Sequence, residues 1–494
     1  MLFNKTSESQ GSPYEKTSRE ISAPSGCNSL SGSTNAERST PENVLTDTTP
    51  RINLRVIAFV IGCIITALAV LSSCTTQNSS PVEDNSNEDS SNAAVSAEES
   101  SASASVQEFS DDRIEPDPII EIPDPELKKI LQDSLGIGDR EITEADALLL
   151  ESLDYSDNTV LGINDVTGLS SFKNLKVLKL PYNSISDITP LAGLTKLTEL
   201  YLFGNQISDI SPLANLTDLT SLNLGDNQIE DITPLQKLTK LEDLTLSFNR
   251  IEDTSPLAGL TNLTDLMLID NQISSAAPLE KLTNLNKLYL DNNQIDNVSP
   301  LENLVELTYL SLYGNQVNDI SPLANLTNLS CLFISGNVRD ISPLRSLTNL
   351  TALGLSDSCI DDLTPLAHLT KLKDLSLQSD HISDITPLES LSKLTDLYLN
   401  SNQIDDITPL TNLTNLEVLH LDNNRIRDIT PLANLSNLST LFLDNNQIND
   451  ITPLANLEKL YFLSLSQNPV LDLKTEEEIM EMIPQVETLL FEGI

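Results

Sequence analysis

Apolar positions recur along most of this 494-residue chain on one fixed template. Over 197–213 the template sets Leu197, Leu200, Leu202, Ile207, Ile210 and Leu213 among polar residues, with Asn205 at its centre and Pro212 near its end. Leu200 and Leu202 alternate with Glu199, Tyr201 and Phe203, and a period of two predicts a short strand with its leucines turned inward. Ser211, Pro212 and Leu213 make a run too short and too proline-bound for a long helix, and predict a tight turn on the opposite side. The Asn205 position recurs at Asn183, Asn227, Asn249, Asn271, Asn293, Asn315, Asn337, Asn402, Asn424, Asn446 and Asn468, with Ser358 and Asp380 as substitutes. The step is 22 residues, except for 21 between Asn337 and Ser358. A fixed period of this length predicts stacked repeats with parallel strands ~4.8 Å apart, so the slots span on the order of 65 Å.

An asparagine amide both donates and accepts, so a column of them can satisfy buried backbone groups at every turn. Ser358 is too short to bridge in this way, and an ionised Asp380 cannot donate. Stability in such an array is a sum of neighbour terms, so the stack is expected to be weakest across 337–380.

The motif L-x-x-L-x-L-x-x-N is a leucine-rich-repeat signature. Extended to L-x-x-L-x-L-x-x-N-x-I-x-D-[IL]-[ST]-P-L, it resembles the internalin-type repeat of bacterial surface proteins over roughly 119–494. The resemblance implies an α/β fold: a leucine-rich-repeat solenoid with a parallel sheet on the concave face, 3-10 turns on the convex face and a small helical N-terminal cap. Such repeats are general interaction scaffolds, so the likeness specifies fold more closely than function.

The ends of the array read as caps, which a solenoid needs to shield its terminal leucines. Asp124, Pro125 and Glu126 predict a helix start, Leu127, Ile130, Leu131 and Leu135 fall on one face, and Gly136 ends it. A second short helix is expected from Thr143, with Leu148, Leu149 and Leu153 as apolar contacts. A truncated repeat with Ile163 and Leu169 joins cap to array; at the far end, Thr475 starts a last helix and 485–491 a final strand. The expected organisation is a polar extension at 1–50, a signal or membrane segment at 51–74, an acidic serine-rich tether at 75–117, the helical cap and truncated repeat at 118–170, the array at 171–470 and a C-terminal cap at 471–494.

Arg51 and Arg55 precede an apolar run at 56–71, the order of a secretory signal. The run ends in Leu71, Ser72, Ser73 and Cys74, which resembles the lipobox of bacterial lipoproteins and implies lipid on the Cys74 sulfur. An uncleaved transmembrane helix is the other reading, although the run falls short of the ~20 residues a comfortable span needs. The polar extension is unusual before such a signal, and translation from near Val44 or Leu45 would remove it. The tether carries eleven acids against Arg113 and is expected to be a solvated spacer.

Charge narrows the partners. With 72 acidic and 28 basic residues the formal net charge is −44, which lacks the basic footprint of a nucleic-acid binder. Five cysteines are too few for a disulfide framework, and both Cys331 and Cys359 are expected to be free thiols: Cys359 lies seven residues beyond Ala352, the rung neighbour of Cys331. His368, His381 and His420 have no nucleophile at a meaningful spacing, and no P-loop, G-x-S-x-G, H-E-x-x-H or EF-hand loop is present. No enzyme activity, cofactor or metal site is expected.

The outward strand positions carry more information. Thirteen aromatics lie between Phe172 and Asn468, and nine occupy the three slots of Glu199, Tyr201 and Phe203, where an even spread over the period would put about two. Tyr182 and Phe248 sit one slot further on. Strand propensity alone places aromatics in strands, so the competing explanation is decoration. The expected ligand-binding residues are Tyr201, Phe203, Tyr289, Tyr309, Tyr313, Phe333, Tyr398, His420 and Phe442, with Asp243, Asp265, Asp374 and Asp396 as an acidic rim. Glu199, Asp291, Asp422 and Asp444 share the outward slots, against only Lys179 and Lys287. Aromatic anchors within acid suit a protein ligand with a basic patch.

The leading expectation is a non-enzymatic binding protein tethered outside the membrane in a bacterial cell envelope. A structural envelope lipoprotein without a dedicated ligand, and an intracellular regulator like the phosphatase-regulating repeat proteins, are the alternatives. If Cys74 carries lipid, Cys74→Ala abolishes fatty-acid labelling and leaves an unprocessed precursor; an unlipidated mature chain beginning at Met1 contradicts this.

Overall fold

In the computed structural model, residues 117–156, 160–356 and 358–490 are described, with the side chains of 472 and 473 excepted. The expectations for the polar extension, the signal with Cys74, and the tether up to 116 lie outside these residues. Among the described residues no helix is long and apolar enough to cross a membrane.

Among the described residues sixteen strands, β1 (Ser152–Asp154) to β16 (Thr488–Leu490), form one parallel sheet in strict chain order. Each regular rung centres on an inward leucine, and Leu178, Leu200 and Leu222 align in register with exposures of 1% or less. Between strands a 3-10 turn such as Ser211–Leu213 carries the recurrent proline and buries its leucine. The repeat aspartate starts this turn: Asp187 Oδ1 accepts the Thr189 N–H at 2.8 Å, and Asp209, Asp231 and Asp253 repeat the contact. Hydrogen bonds from Thr189 hold the Asp187 carboxyl below its ordinary range. These aspartates are therefore turn-formers.

The cap follows the expected chemistry. α1 (Pro125–Leu135) starts at Asp124, whose Oδ1 accepts the Glu126 and Leu127 N–H groups, and ends at Gly136 with φ 65°. The other Asp124 oxygen accepts the Asn164 N–H at 3.0 Å, tying the cap to the truncated repeat. Burial pushes this carboxyl up, but the four backbone donors outweigh it and hold it below the usual range. α2 (Glu144–Ala147) has a capping box of Thr143 and Asp146. Leu148 and Leu149 are not core contacts, being 48% and 74% exposed, because α2 ends before them and the chain turns into β1. Leu153 is fully buried as the first inward leucine of the sheet. At the far end α3 (Val470–Leu473) precedes α4 (Glu476–Met482), capped by Thr475.

The asparagine column stitches the backbone of each repeat to that of the one before it. Asn271 Nδ2 donates to Leu246 O at 3.1 Å in the preceding rung and to Leu268 O at 3.2 Å in its own, while Oδ1 accepts the Ile251 N–H at 3.0 Å. Asn205, Asn293, Asn402, Asn424, Asn446 and Asn468 make the same contacts. Asn337 does not: it is exposed, and the backbone there is held by a Val317–Gly336 strand pair. Ser358 Oγ donates to Gly336 O at 3.0 Å, and buried Asp380 accepts the Ser358 N–H at 2.7 Å. Across this irregular zone the strands lengthen to nine, six and five residues in β8 (Tyr309–Val317), β9 (Cys331–Gly336) and β10 (Ala352–Ser356), against three in regular rungs. Extra backbone pairing thus accompanies the broken column.

Cys331 and Cys359 are both in disulfide linkage, which overturns the expectation of free thiols. The expected separation of Cys359 from the Cys331 rung required an extended chain beyond Ala352, whereas extended pairing stops at Ser356.

The contrast within the column is testable. Asn271→Ala strands a buried N–H and two buried carbonyls, and is expected to destabilise the array by about 3 kcal/mol, whereas Asn337→Ala should change stability by less than about 0.5 kcal/mol. Chemical denaturation of the two variants checks this, and equal losses contradict it.

Candidate binding face

The outward side chains of the strands gather into separate clusters. In the first, β7 (Lys287–Tyr289), β8 and β9 bring Tyr289, Tyr309 and Phe333 together, with ring centroids 4.4 Å and then 5.8 Å apart. Tyr289 faces Ser311 in register, and Ser311 faces Phe333. Tyr313 lies two residues along β8, its N–H donating to Asp291. The Phe333 ring lies over Gly354, where an added Cβ would come within 2.8 Å of it, so glycine in β10 makes the space the ring occupies. Tyr289 is only 8% exposed, while Tyr309 and Phe333 are half-buried. Burial, reinforced by Asp265 and Asp291, pushes the Tyr289 phenol up to about 12, and burial raises Tyr309 further.

The second cluster runs over four strands, β12 (Asp396–Tyr398), β13 (Val418–His420), β14 (Thr440–Phe442) and β15 (Phe462–Ser464). Tyr398 lies 4.7 Å from His420, which stacks on Phe442 at 4.1 Å, and Phe442 meets Phe462 at 4.9 Å. The column of Tyr398, His420 and Phe442 was legible in the sequence. Phe462 was not assigned to it, because it occupies the neighbouring column and reaches across one rung. Burial holds the His420 imidazole down to about 4, so at neutral pH it is an uncharged aromatic ring with Asp422 3.8 Å from Nδ1.

Tyr201 and Phe203 form no part of either group. They belong to β3 (Glu199–Tyr201) and its continuation, with three strands between β3 and β7. Lys179 Nζ lies 4.7 Å from the Tyr201 ring centroid, and Tyr201 Oη bonds Ser221 Oγ at 2.9 Å. Phe203 meets Tyr182 edge-on at 5.2 Å. A shallow cavity of about 230 Å³ follows, lined by Tyr201, Asn223, Asp243, Thr245, Asp265 and Met267.

The acids divide into two kinds. Asp243 faces Asp265 on one pair of strands, and Asp374 faces Asp396 on another. Burial, then the Asp396 charge, pushes Asp374 up to about 7, and burial with Asp265 raises Asp243. Asp291 and Asp444 instead serve the scaffold. Asp444 Oδ1 accepts the Ser464 hydroxyl at 2.7 Å and the Ser466 N–H at 2.8 Å; Asp291 takes the Ser311 hydroxyl and Tyr313 N–H in the same way. The available signal was a serine twenty residues after each aspartate. Asp422 has Phe442 at that position and takes the Asn423 amide instead. The two lysines in the outward slots are both consumed on the face: Lys179 by Asp154 and Glu199 at 3.2 and 2.9 Å, Lys287 by Asp265 at 2.8 Å. The arrangement offers apolar rings and uncompensated carboxylates. Among the described residues no three His, Cys, Asp or Glu side chains converge as metal ligands.

The Asp374–Asp396 pair sets a pH dependence of stability. A carboxyl raised to about 7 from 3.8 gives the fold an extra proton, so its contribution is present at low pH and lost as pH rises through that window. His420 acts oppositely, losing stability as pH falls from 6.5 towards about 4. Raising pH from 5 to 8 is therefore expected to lower the Tm of the native chain more than that of Asp374→Asn. Parallel Tm–pH curves contradict this.

The leucine-rich-repeat family model, described as Leucine Rich repeats (2 copies), matches 173–215, 195–237, 217–259, 261–303, 305–346 and 392–434. The unmatched stretch 347–391 holds Ser358 and Asp380. No curated protein matches. Among solved structures, an internalin (inlF) from Listeria monocytogenes str. 4b F2365 is 36% identical, with a TM-score of 0.58, covering 69% of this chain and 95% of that one. A leucine-rich-repeat protein of Leptospira interrogans is 23% identical with a TM-score of 0.61, covering 70% and 97%. A plant peptide hormone receptor, solved in complex with RGF2, is 22% identical with a TM-score of 0.55, covering 72% and 66%. The last two share the fold alone. Leucine-rich-repeat proteins are in general interaction scaffolds without catalytic activity, and this chain belongs to the internalin-type leucine-rich-repeat family.

Proposed function

We propose that the chain is a non-enzymatic interaction scaffold, anchored outside the bacterial membrane through its N-terminal segment, whose outward sheet face binds a protein ligand with a basic patch. The observation that carries this is the contiguous Tyr289–Tyr309–Phe333 ring group, which stands outside the leucine core. Half-buried rings on a rigid sheet gain area on binding at little entropic cost, and buried interface aromatics commonly carry ~2 kcal/mol or more. The uncompensated acids around them favour a cationic partner and speed its approach. The receptor solved with RGF2 has the same fold, which is consistent with a polypeptide ligand here.

Tyr309→Ala combined with Phe333→Ala tests the face; Tyr289 is too buried for a clean test. In affinity capture from membrane fractions and titration with the captured protein, the double variant should keep nearly the native Tm and bind at least ~10-fold more weakly. Changes on the turn side, Lys237→Ala or Lys281→Ala, should leave binding intact. Normal binding by the double variant with loss in a turn-side variant places the ligand elsewhere.

A further inference from the structure

One slot beyond the outward strand positions, the backbone turns with positive φ in most repeats. Other repeats fill the slot mostly with residues that tolerate this, Gly204, Asp226, Asp270, Asn292, Gly314, Asn423 and Asn445, and otherwise with the small or unbranched Ser379, Ser401 and Gln467, with φ between 50° and 68°. Tyr182 and Phe248 adopt φ of 54° and 58° at the same slot. A bulky side chain is disfavoured there, because its Cβ crowds the following carbonyl. The rung leaves no choice of conformation: the Phe248 N–H donates to Ile269 O at 2.7 Å, and the Tyr182 N–H to Phe203 O at 2.8 Å. Core burial does not offset the strain, since Tyr182 is 39% exposed and Phe248 48%.

Phe248 stands between Asp226 and Asp270, which occupy its slot on the rungs before and after. Both carboxylates are exposed, and among the described residues neither is in a salt bridge. An exposed ring with a carboxylate on each side matches an alkyl guanidinium or ammonium, with its stem on the ring and its head shared between the acids. A second copy of this chain is a poor occupant, because two copies at −44 each repel. We propose that the rim formed by Asp226, Phe248 and Asp270 is a docking station for an exposed arginine or lysine side chain of a partner protein. The station uses none of the residues of the Tyr289–Tyr309–Phe333 group, so it stands or falls separately from the reading of that face.

The test uses the full chain and a fluorescein-labelled peptide of alternating arginine and serine, followed by anisotropy, with a citrulline peptide for comparison. Phe248→Asn leaves every charge in place, so general attraction to an acidic protein is common to both. The variant should bind the arginine peptide at least ~5-fold more weakly, and its Tm should rise by about 2 °C as the strained ring is replaced by a residue suited to the slot. Asp226→Asn with Asp270→Asn should weaken binding and flatten its salt dependence beyond the change given by Glu280→Gln with Glu302→Gln, two exposed acids on the turn side. A Kd for Phe248→Asn within twofold of the native value, a fall in its Tm, or equal binding of the citrulline peptide overturns the proposal.

Discussion

The structure depends on how backbone groups are satisfied where each repeat turns inward. A buried N–H or C=O without a partner costs about 1–3 kcal/mol, and a stacked array meets the problem at every turn. One amide solves it each time, because Oδ1 accepts from one repeat while Nδ2 donates to two. Serine reaches less far and an ionised aspartate cannot donate; beside the exposed Asn337 and at Ser358, strands β8 to β10 lengthen their own pairing. The leucines make the stack apolar, but a column of leucines alone would leave those polar groups unmet.

With the core and the turns committed, the outward face is free to vary. Its rings sit beside serines and glycines that make space, as Gly354 does for Phe333. Its acids either pair with one another, as Asp374 does with Asp396, or are bound into the rungs, as Asp291 and Asp444 are. The face is thus not uniformly acidic. Rings and unassigned carboxylates alternate along it over short stretches, and the only two lysines in its outward slots are already paired.

Much of this was legible in the sequence, because the period fixes register and register fixes neighbours. The stacking of Tyr398, His420 and Phe442 follows from residues 22 apart. What was not legible lay where the period breaks or where contacts cross columns. Asn337 reads as one more member of the column, yet the missing residue after it allows Val317 and Gly336 to pair and leaves its amide outside. Phe462 joins its cluster diagonally, Leu148 and Leu149 fall in a bend before β1, and the cysteines engage in linkages that rung spacing does not describe.

The central claim, that the asparagine column holds the array together, is tested most directly by amide hydrogen exchange read residue by residue. The Ile251 and Ile426 amides donate to Asn271 and Asn446, and should exchange only on wide opening of the stack. Val338 fills the same slot opposite Ser358. Exchange at its amide should be at least ~10-fold faster than at Ile251 and Ile426, with the inward strands of β9 and β10 still protected. Uniform protection of this slot along the whole array would contradict it.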